Sequence, residues 1–158
     1  MDAMNEGEKE FMEWLNQHNI PFWYIKQDVS TFSKAIKALG TKRPDFMLLI
    51  PNMGSILVDV KEKHILDQYR TFPLDKKETL KYSRLERNSN LKVWYAISHK
   101  NFGFKTWYWI PISKVIEIGK EKEYKSPLDK NPYYAIPVEE FIQIPSDKSI
   151  DTLFTLKV

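Results

Sequence analysis

The sequence predicts an α/β domain, a mixed central sheet flanked by helices. Three observations carry this reading. Residues 6–18 repeat apolar side chains at helical spacing, residues 46–61 hold two apolar runs divided by a turn, and residues 75–88 form a second helical pattern that leads into aromatic strands. The 158 residues, 42% of them hydrophobic, can bury a sizeable core, and no break in composition divides them, so 1–158 is read as one domain.

Taken in order, the first helix spans 6–18 and ends near Asn19. Glu8, Met12 and Leu15 fall at i, i+4 and i+7, which puts Glu8 on the apolar stripe rather than opposite it. Residues 20–25 read as a strand or a loop and strand. Residues 30–39 read as a short helix or lid, capped by Ser30 or Thr31 and ended by Gly40. Then comes the hairpin: Phe46-Met47-Leu48-Leu49-Ile50, a five-residue loop at 51–55, and Ile56-Leu57-Val58-Asp59-Val60-Lys61. The helix at 75–88 takes Asp75 as its cap, and strands follow at 91–98 and 105–112.

The loop at 99–105 carries Phe102 and Phe104 beside cationic groups. It either stacks on unpaired bases or folds its phenylalanines onto its own sheet, and the second reading is preferred. Beyond it, Ile110-Pro111 and Ile136-Pro137 each end a strand and open a short helical turn, with a charged, proline-bearing connection between. These pieces extend or edge the sheet, because proline lacks a ladder donor.

The chemistry concentrates at Pro44-Asp45 and Asp59-Val60-Lys61. Alternation along a strand puts Asp59, Lys61 and Lys63 on one side and Val58 and Val60 on the other, toward the core. Asp45 precedes the first hairpin strand, so the hairpin brings it near Asp59. Two carboxylates that close repel unless a cation lies between them, and Mg²⁺ suits hard oxygen ligands while keeping several waters. Lys61 beside such an ion would orient or deprotonate water and offset charge on a phosphate. The bland alternative makes Asp59 and Lys61 solvent-facing residues of an edge strand and Pro44-Asp45 a turn. Asp inside an otherwise apolar strand argues against it, since strands disfavour Asp.

With these residues the chain resembles the PD-(D/E)xK, or restriction-endonuclease-like, nuclease superfamily over about its first hundred residues. The resemblance implies an αβββαβ core, here about 5–112, with a C-terminal β-rich extension at about 113–158. It further implies a metal-dependent deoxyribonuclease in which Asp45, Asp59, the Val60 carbonyl and Glu8 hold Mg²⁺, for which Mn²⁺ can substitute, and Lys61 assists the water. Glu10 and Glu13 are runners-up to Glu8, and all three also fit a solvated helix face. Small size makes the chain similar to junction resolvases and stand-alone repair or mobile-element nucleases, with a small restriction endonuclease as the near alternative. Some relatives place a Gln and a Tyr one turn apart on the helix after the motif. In those relatives the pair touches the site or the DNA; here the positions are Glu78 and Tyr82, so Tyr82 is taken as a candidate contact, placed among the nucleic-acid-binding residues, and Glu78 as a doubtful one.

Phosphate contacts are expected from Lys42 and Arg43 at the entrance to the Asp45 site, from Lys63, and from Lys77, Lys81 and Arg84 on the basic helix. The same helix charges also fit a solvated face. His64 and His99 are read as hydrogen-bonded surface groups, since Mg²⁺ does not favour imidazole. The balance of 24 Lys+Arg against 21 Asp+Glu, formally +3, would not by itself suggest nucleic acid. The absence of cysteine excludes disulfides and thiolate metal sites. No apolar run is long enough for a membrane span and no leader pattern opens the chain, so a cytoplasmic protein is expected, with DNA as partner and no small-molecule cofactor. The aromatic strands allow a homodimer. A catalytically silent nucleic-acid-binding or protein-interaction module on the same fold is the alternative function, and a structural subunit the third.

Overall fold

Helix α1 (Glu6–Gln17) starts at Asn5, whose side chain accepts from the Glu8 N–H while the Glu8 carboxylate accepts from the Asn5 N–H. This reciprocal cap satisfies two donors that a helix start leaves free. The computed structural model describes residues 4–25, 27–65, 70–123 and 131–154. After α1 come β1 (Phe22–Tyr24), a 3₁₀ turn at Val29–Thr31, α2 (Lys34–Ala38), β2 (Phe46–Ile50) and β3 (Gly54–Glu62). Next are β4 (Thr71–Asp75), α3 (Lys76–Ser89), β5 (Lys92–Ser98), β6 (Thr106–Pro111) and α4 (Ile112–Ile118), then β7 (Lys120–Glu123), β8 (Pro132–Pro137) and β9 (Ile142–Pro145).

The main sheet has the order β1-β2-β3-β5-β6-β9. Among the described residues only β3 and β5 pair in parallel, from Ile56↔Lys92 to Glu62↔Ser98, with α3 in the crossover between them. In chain order α1, β1, β2, β3, α3 and β5 reproduce the expected αβββαβ series, into which α2 and β4 are inserted. The sheet is mixed and helix-flanked, as expected.

Two local expectations need correction. The hairpin loop is shorter than five residues, because Gly54 at φ 118 already belongs to β3 and Asn52 adopts a left-handed φ of 65 in the turn. The helix expected over 30–39 is split. Asp28 accepts from Ser30 N–H and holds the 3₁₀ turn, while Ser33 accepts from Ile36 N–H and caps α2 separately. Short polar side chains offered the backbone two competing local partners, and both are used. Gly40, at φ 67, ends α2 as expected.

A second sheet, β4-β8-β7, was not foreseen. Pro73 lies in the middle of β4, which is tolerated because β4 is an edge strand of this small sheet. Strand β7, Lys-Glu-Lys-Glu, is the other edge, and its charges keep that edge from pairing further. Each Ile-Pro piece ends a strand and opens a short turn as expected, β6 running into α4 and β8 into a 3₁₀ turn at Val138–Glu140. Their place in the sheets differs from expectation: β6 extends the main sheet from inside, between β5 and β9, and β8 is the middle strand of the small sheet rather than an edge of the main one. Residues 124–130 of the charged connection lie outside the described residues.

The main sheet is buried on both faces. On one, Phe11, Trp14 and Leu15 of α1 meet Phe46, Val58, Val60 and the indoles of Trp107 and Trp109. On the other, Leu57, Tyr95 and Ile97 are covered by Tyr82 of α3, Val115 of α4, and Phe72, Leu74 and Ile136 of the small sheet. Val58 and Val60 therefore face a core as expected, and the opposite side of β3 faces a second core instead of water. In the 99–105 loop, Phe104 is buried against Trp107 and Phe102 packs edge-on to Tyr108, so the phenylalanines serve their own sheet.

Candidate active site at the end of strands β2 and β3

The ladder between β2 and β3 closes with Phe46↔Val58, and one residue earlier the Asp45 N–H still donates to the Val58 carbonyl at 3.0 Å. The Asp45 carboxylate then reaches forward to accept the Val60 N–H at 2.8 Å. Because N–H and C=O of one strand residue point to the same edge, the Val60 carbonyl is turned toward Asp45, beyond the last ladder pair. Burial first, and Asp59 second, push the Asp45 carboxyl up to about 8 from 3.8, against the Val60 hydrogen bond and Lys61, which lower it. Glu8 acts in the same upward direction.

Asp59 is 2% exposed. The Tyr82 hydroxyl donates to it, the Lys61 ammonium stands 3.4 Å away and that of Lys42 3.5 Å away. Burial raises its carboxyl, with Lys61 the strongest opposing influence. Glu78, one turn into α3, accepts from both lysines, at 2.6 Å from Lys61 and 2.8 Å from Lys42. Burial alone would raise Glu78, but the two ammonium groups hold it down to about 2. Lys61 responds in kind: burial opposes its charge, and Asp59 and Glu78 raise its ammonium above the ordinary lysine value. Behind this network the Thr79 hydroxyl bonds Tyr95 at 2.8 Å and the Asp75 carbonyl at 2.7 Å, and the Tyr82 and Tyr95 rings meet edge to face. The tyrosine that fixes Asp59 is thus itself braced.

Of the three helix acids, Glu8 alone is buried; Glu10 is partly exposed and Glu13 exposed. Tyr24 donates to Glu8 at 3.3 Å. Asp45, Asp59, Lys61 and Glu8 are therefore brought together from α1 and the hairpin. Of the two contacts open to Tyr82, it makes the one to the site: its hydroxyl donates to Asp59, and because it is fully buried it offers no surface to DNA, which corrects its placement among the nucleic-acid-binding residues. Lys42, its side chain 37% exposed, reaches into the carboxylate cluster with its ammonium on Glu78 and 3.5 Å from Asp59. Arg43 donates to Thr31 at 2.7 Å and to the Asp28 carbonyl, and lies over the Phe32 ring, which ties the 28–32 segment to the start of β2. Lys63 is partly buried, and burial with the neighbouring Lys61 lowers its ammonium. Lys77, Lys81 and Arg84 are exposed on α3, Arg84 donating to the Gly40 carbonyl. His64 and His99 stack at 4.1 Å and share Asn101; His99 is buried, not a surface group.

The residue of this cluster that sequence reading undervalued is Glu78, which pairs with both lysines. A glutamate in the first turn of a capped helix looks the same whether it faces water or a lysine brought from elsewhere in the chain. The available signal was its position one turn before a tyrosine, on the helix that follows Asp59-Val60-Lys61.

Among the described residues no three His, Asp or Glu side chains close around one point as metal ligands would. Neither a family model nor a curated protein matches the chain. Among solved structures it is similar to Hjc of Archaeoglobus fulgidus, a Holliday junction resolvase from an archaeal hyperthermophile, at 11% identity and a TM-score of 0.53 over 85% of this chain and 88% of that one. The chain has the restriction-endonuclease-like fold. D212, a nuclease from a fusselovirus, aligns over 97% of this chain and 92% of its own at 13% identity and a TM-score of 0.49. Within the restriction-endonuclease-like fold the acids of this chain gather where β2 ends beside β3, with α1 supplying Glu8 from one face and α3 supplying Glu78 from the other. No described helix is long and apolar enough to cross a membrane.

Proposed function

We propose that this chain is a metal-dependent endonuclease that hydrolyses phosphodiester bonds of DNA. The observation that carries the reading is Asp45 set against Asp59 at the hairpin end with Lys61 3.4 Å from Asp59. Asp45, Asp59, Glu8 and the Val60 carbonyl are the oxygen donors that would hold Mg²⁺ or Mn²⁺, all of the hard type these ions take. The fit rests on Asp45: a carboxyl pushed up to about 8 by burial and by a neighbouring acid is one that a divalent cation would allow to ionise. When bound, the ion supplies Lewis-acid stabilisation of charge on the phosphate.

The chain's own groups do the rest. Lys61, held 3.4 Å from Asp59 and on Glu78, is assigned to orient water and stabilise charge in the transition state. Tyr82 and Glu78 position Asp59 and Lys61 respectively. Lys63, Lys77, Lys81 and Arg84 are assigned to backbone phosphates, with Lys42 balancing charge inside the cluster and Arg43 ordering the segment beside it. Cutting both strands of one duplex needs two such sites, hence a homodimer or two encounters.

A second reading has its own support. Lys42 and Lys61 already lie within 3.5 Å of Asp59, so the acids are partly neutralised by ammonium groups, as a silent nucleic-acid-binding module would permit. Two measurements separate the readings. Linear, single-stranded, flap and four-way-junction DNA are incubated with Mg²⁺ or Mn²⁺ and wild type, Asp59→Ala or Lys61→Ala; cutting that both variants lose supports the nuclease, and cutting that both retain sinks this site. Melting with and without Mn²⁺ then tests occupancy, since an ion bound only by the folded chain raises the melting temperature; no rise and no cutting favour the silent module.

A further inference from the structure

Beside the carboxylate cluster lie two cavities that share Phe32, Lys42 and Arg43. The first, about 460 Å³, is lined by Lys34, Lys37, Lys42, Arg43 and Lys81, with Phe32 at its wall and no acidic side chain. Lys34, Lys37 and Lys81 form no ion pair among the described residues. Three un-neutralised ammonium groups around one concavity repel each other and favour an anion. The second cavity, about 320 Å³, is an apolar slot between Ile25, Ile36, Met47, Leu57, Leu85 and Leu91. Arg43 lies 5.0 Å over the Phe32 ring where the two cavities meet, held there by Thr31 and the Asp28 carbonyl.

A cationic hollow joined through an aromatic ring to an apolar slot has the amphipathic shape of one nucleotide, phosphate at one end and base at the other. A base in an intact duplex cannot enter such a slot, because its faces are already stacked. We infer that the two cavities form a subsite for a single unpaired nucleotide of the DNA strand, its phosphate on Lys34, Lys37 and Lys81 and its base in the slot behind Phe32. Lys42 belongs to this hollow and also contacts Asp59 and Glu78, so the subsite adjoins the proposed cleavage centre. The inference deepens the nuclease reading by naming its substrate class: DNA that carries an unpaired segment, such as a flap or single strand, in preference to continuous duplex. The slot offers the base edges apolar walls, so base identity is read weakly.

The test is binding without catalysis. Fluorescence anisotropy in EDTA compares a continuous duplex, the same duplex with a single-stranded flap, and a single strand. Wild type should bind flap and single strand about tenfold or more tightly than duplex, and Phe32→Ala should remove most of that preference, stacking of one base being sensitive to such truncation. Ile36→Glu, at an exposed position on the slot, repeats the test without opening the core, with melting temperature as the folding control. Lys34→Gln/Lys37→Gln/Lys81→Gln should lower the slope of log affinity against log salt by about 0.7 for each phosphate that is no longer neutralised. Equal affinity for flap and duplex, or an equal fall in the matched surface triple Lys9→Gln/Lys100→Gln/Lys148→Gln, overturns the subsite. Because this readout is binding in EDTA, it does not depend on cutting: a preference for unpaired DNA, joined to no cutting in Mg²⁺ or Mn²⁺ and no Mn²⁺-induced rise in melting temperature in the assays above, would refute the nuclease reading and leave the subsite standing.

Discussion

Strand β3 packs Val58 and Val60 against α1 and, one residue out of phase, Asp59 and Lys61 against α3. The α1 side holds itself together mainly by area and shape: Phe11, Trp14, Trp107 and Trp109 interlock, and Glu8, the buried acid of α1, is met by the Tyr24 hydroxyl and the Asn5 N–H. The α3 side encloses ionised groups that are tolerable only in combination, Asp59 and Glu78 with Lys42, Lys61 and the Tyr82 hydroxyl. Buried ion pairs of this kind add little net stability, because desolvation offsets their attraction. A fold that needed only a sheet would have had no physical reason to bury them. The difference teaches that one side of β3 is built to hold and the other, in the function proposed above, to act.

The largest expected effect falls on the acting side. Lys61→Ala should lower DNA cleavage by about 10²–10³-fold, the scale of losing one transition-state charge stabiliser, with a cooperative melt retained. Phe11→Ala should do the reverse, destabilising the fold by about 3–5 kcal/mol in urea titration while leaving Mn²⁺ affinity unchanged. Tyr82→Phe should cost about 1.5–3 kcal/mol, the worth of a buried hydrogen bond to a charged group, and should also weaken metal binding by loosening Asp59.

Titration sharpens the contrast further, because Asp45 and Glu78 have opposite signs. Asp45 keeps its proton in the folded chain up to about 8 while the unfolded carboxyl loses it near 3.8, so its contribution to metal-free stability declines as pH rises between those values. Asp45→Asn should flatten that decline, and Mn²⁺ affinity in wild type should climb with pH over the same window as the ion displaces the proton. Glu78, held down to about 2 from 4.5, stabilises above its unfolded value and loses that contribution as pH falls toward 2; Glu78→Gln should remove this acid limb from melting curves. The smallest effect belongs to the partly exposed pair of Lys114 and Glu140, 3.2 Å apart, where Lys114→Met should change stability by less than about 1 kcal/mol.

Much of the holding side was legible in the sequence because its signals are local. The stripe of Glu8, Met12 and Leu15, the apolar runs around 51–53 and the Asp75 cap each declare themselves within a few residues. Asp45 and Asp59 were legible for the same reason, since a hairpin and strand alternation suffice to bring them together. Lys42 and Glu78 were not, because their meeting depends on α2, α3 and β3 converging, and a charge on a helix or loop gives no sign of a distant partner. Strand β4 was hidden by Pro73 and by pairing with β8, a segment that lies far along the chain.

Asp75 links those distant parts. It is the last residue of β4, registered opposite Tyr133 of β8, and its side chain accepts from Glu78 N–H to start α3. The phase of α3, and with it the angular placement of Glu78 and Tyr82 around the helix axis, is therefore clamped by a strand from the C-terminal third of the sequence. Changes at 132–137 could retune the charge network without touching any residue in it, which makes the extension a lever on the chemistry rather than a decoration of the sheet.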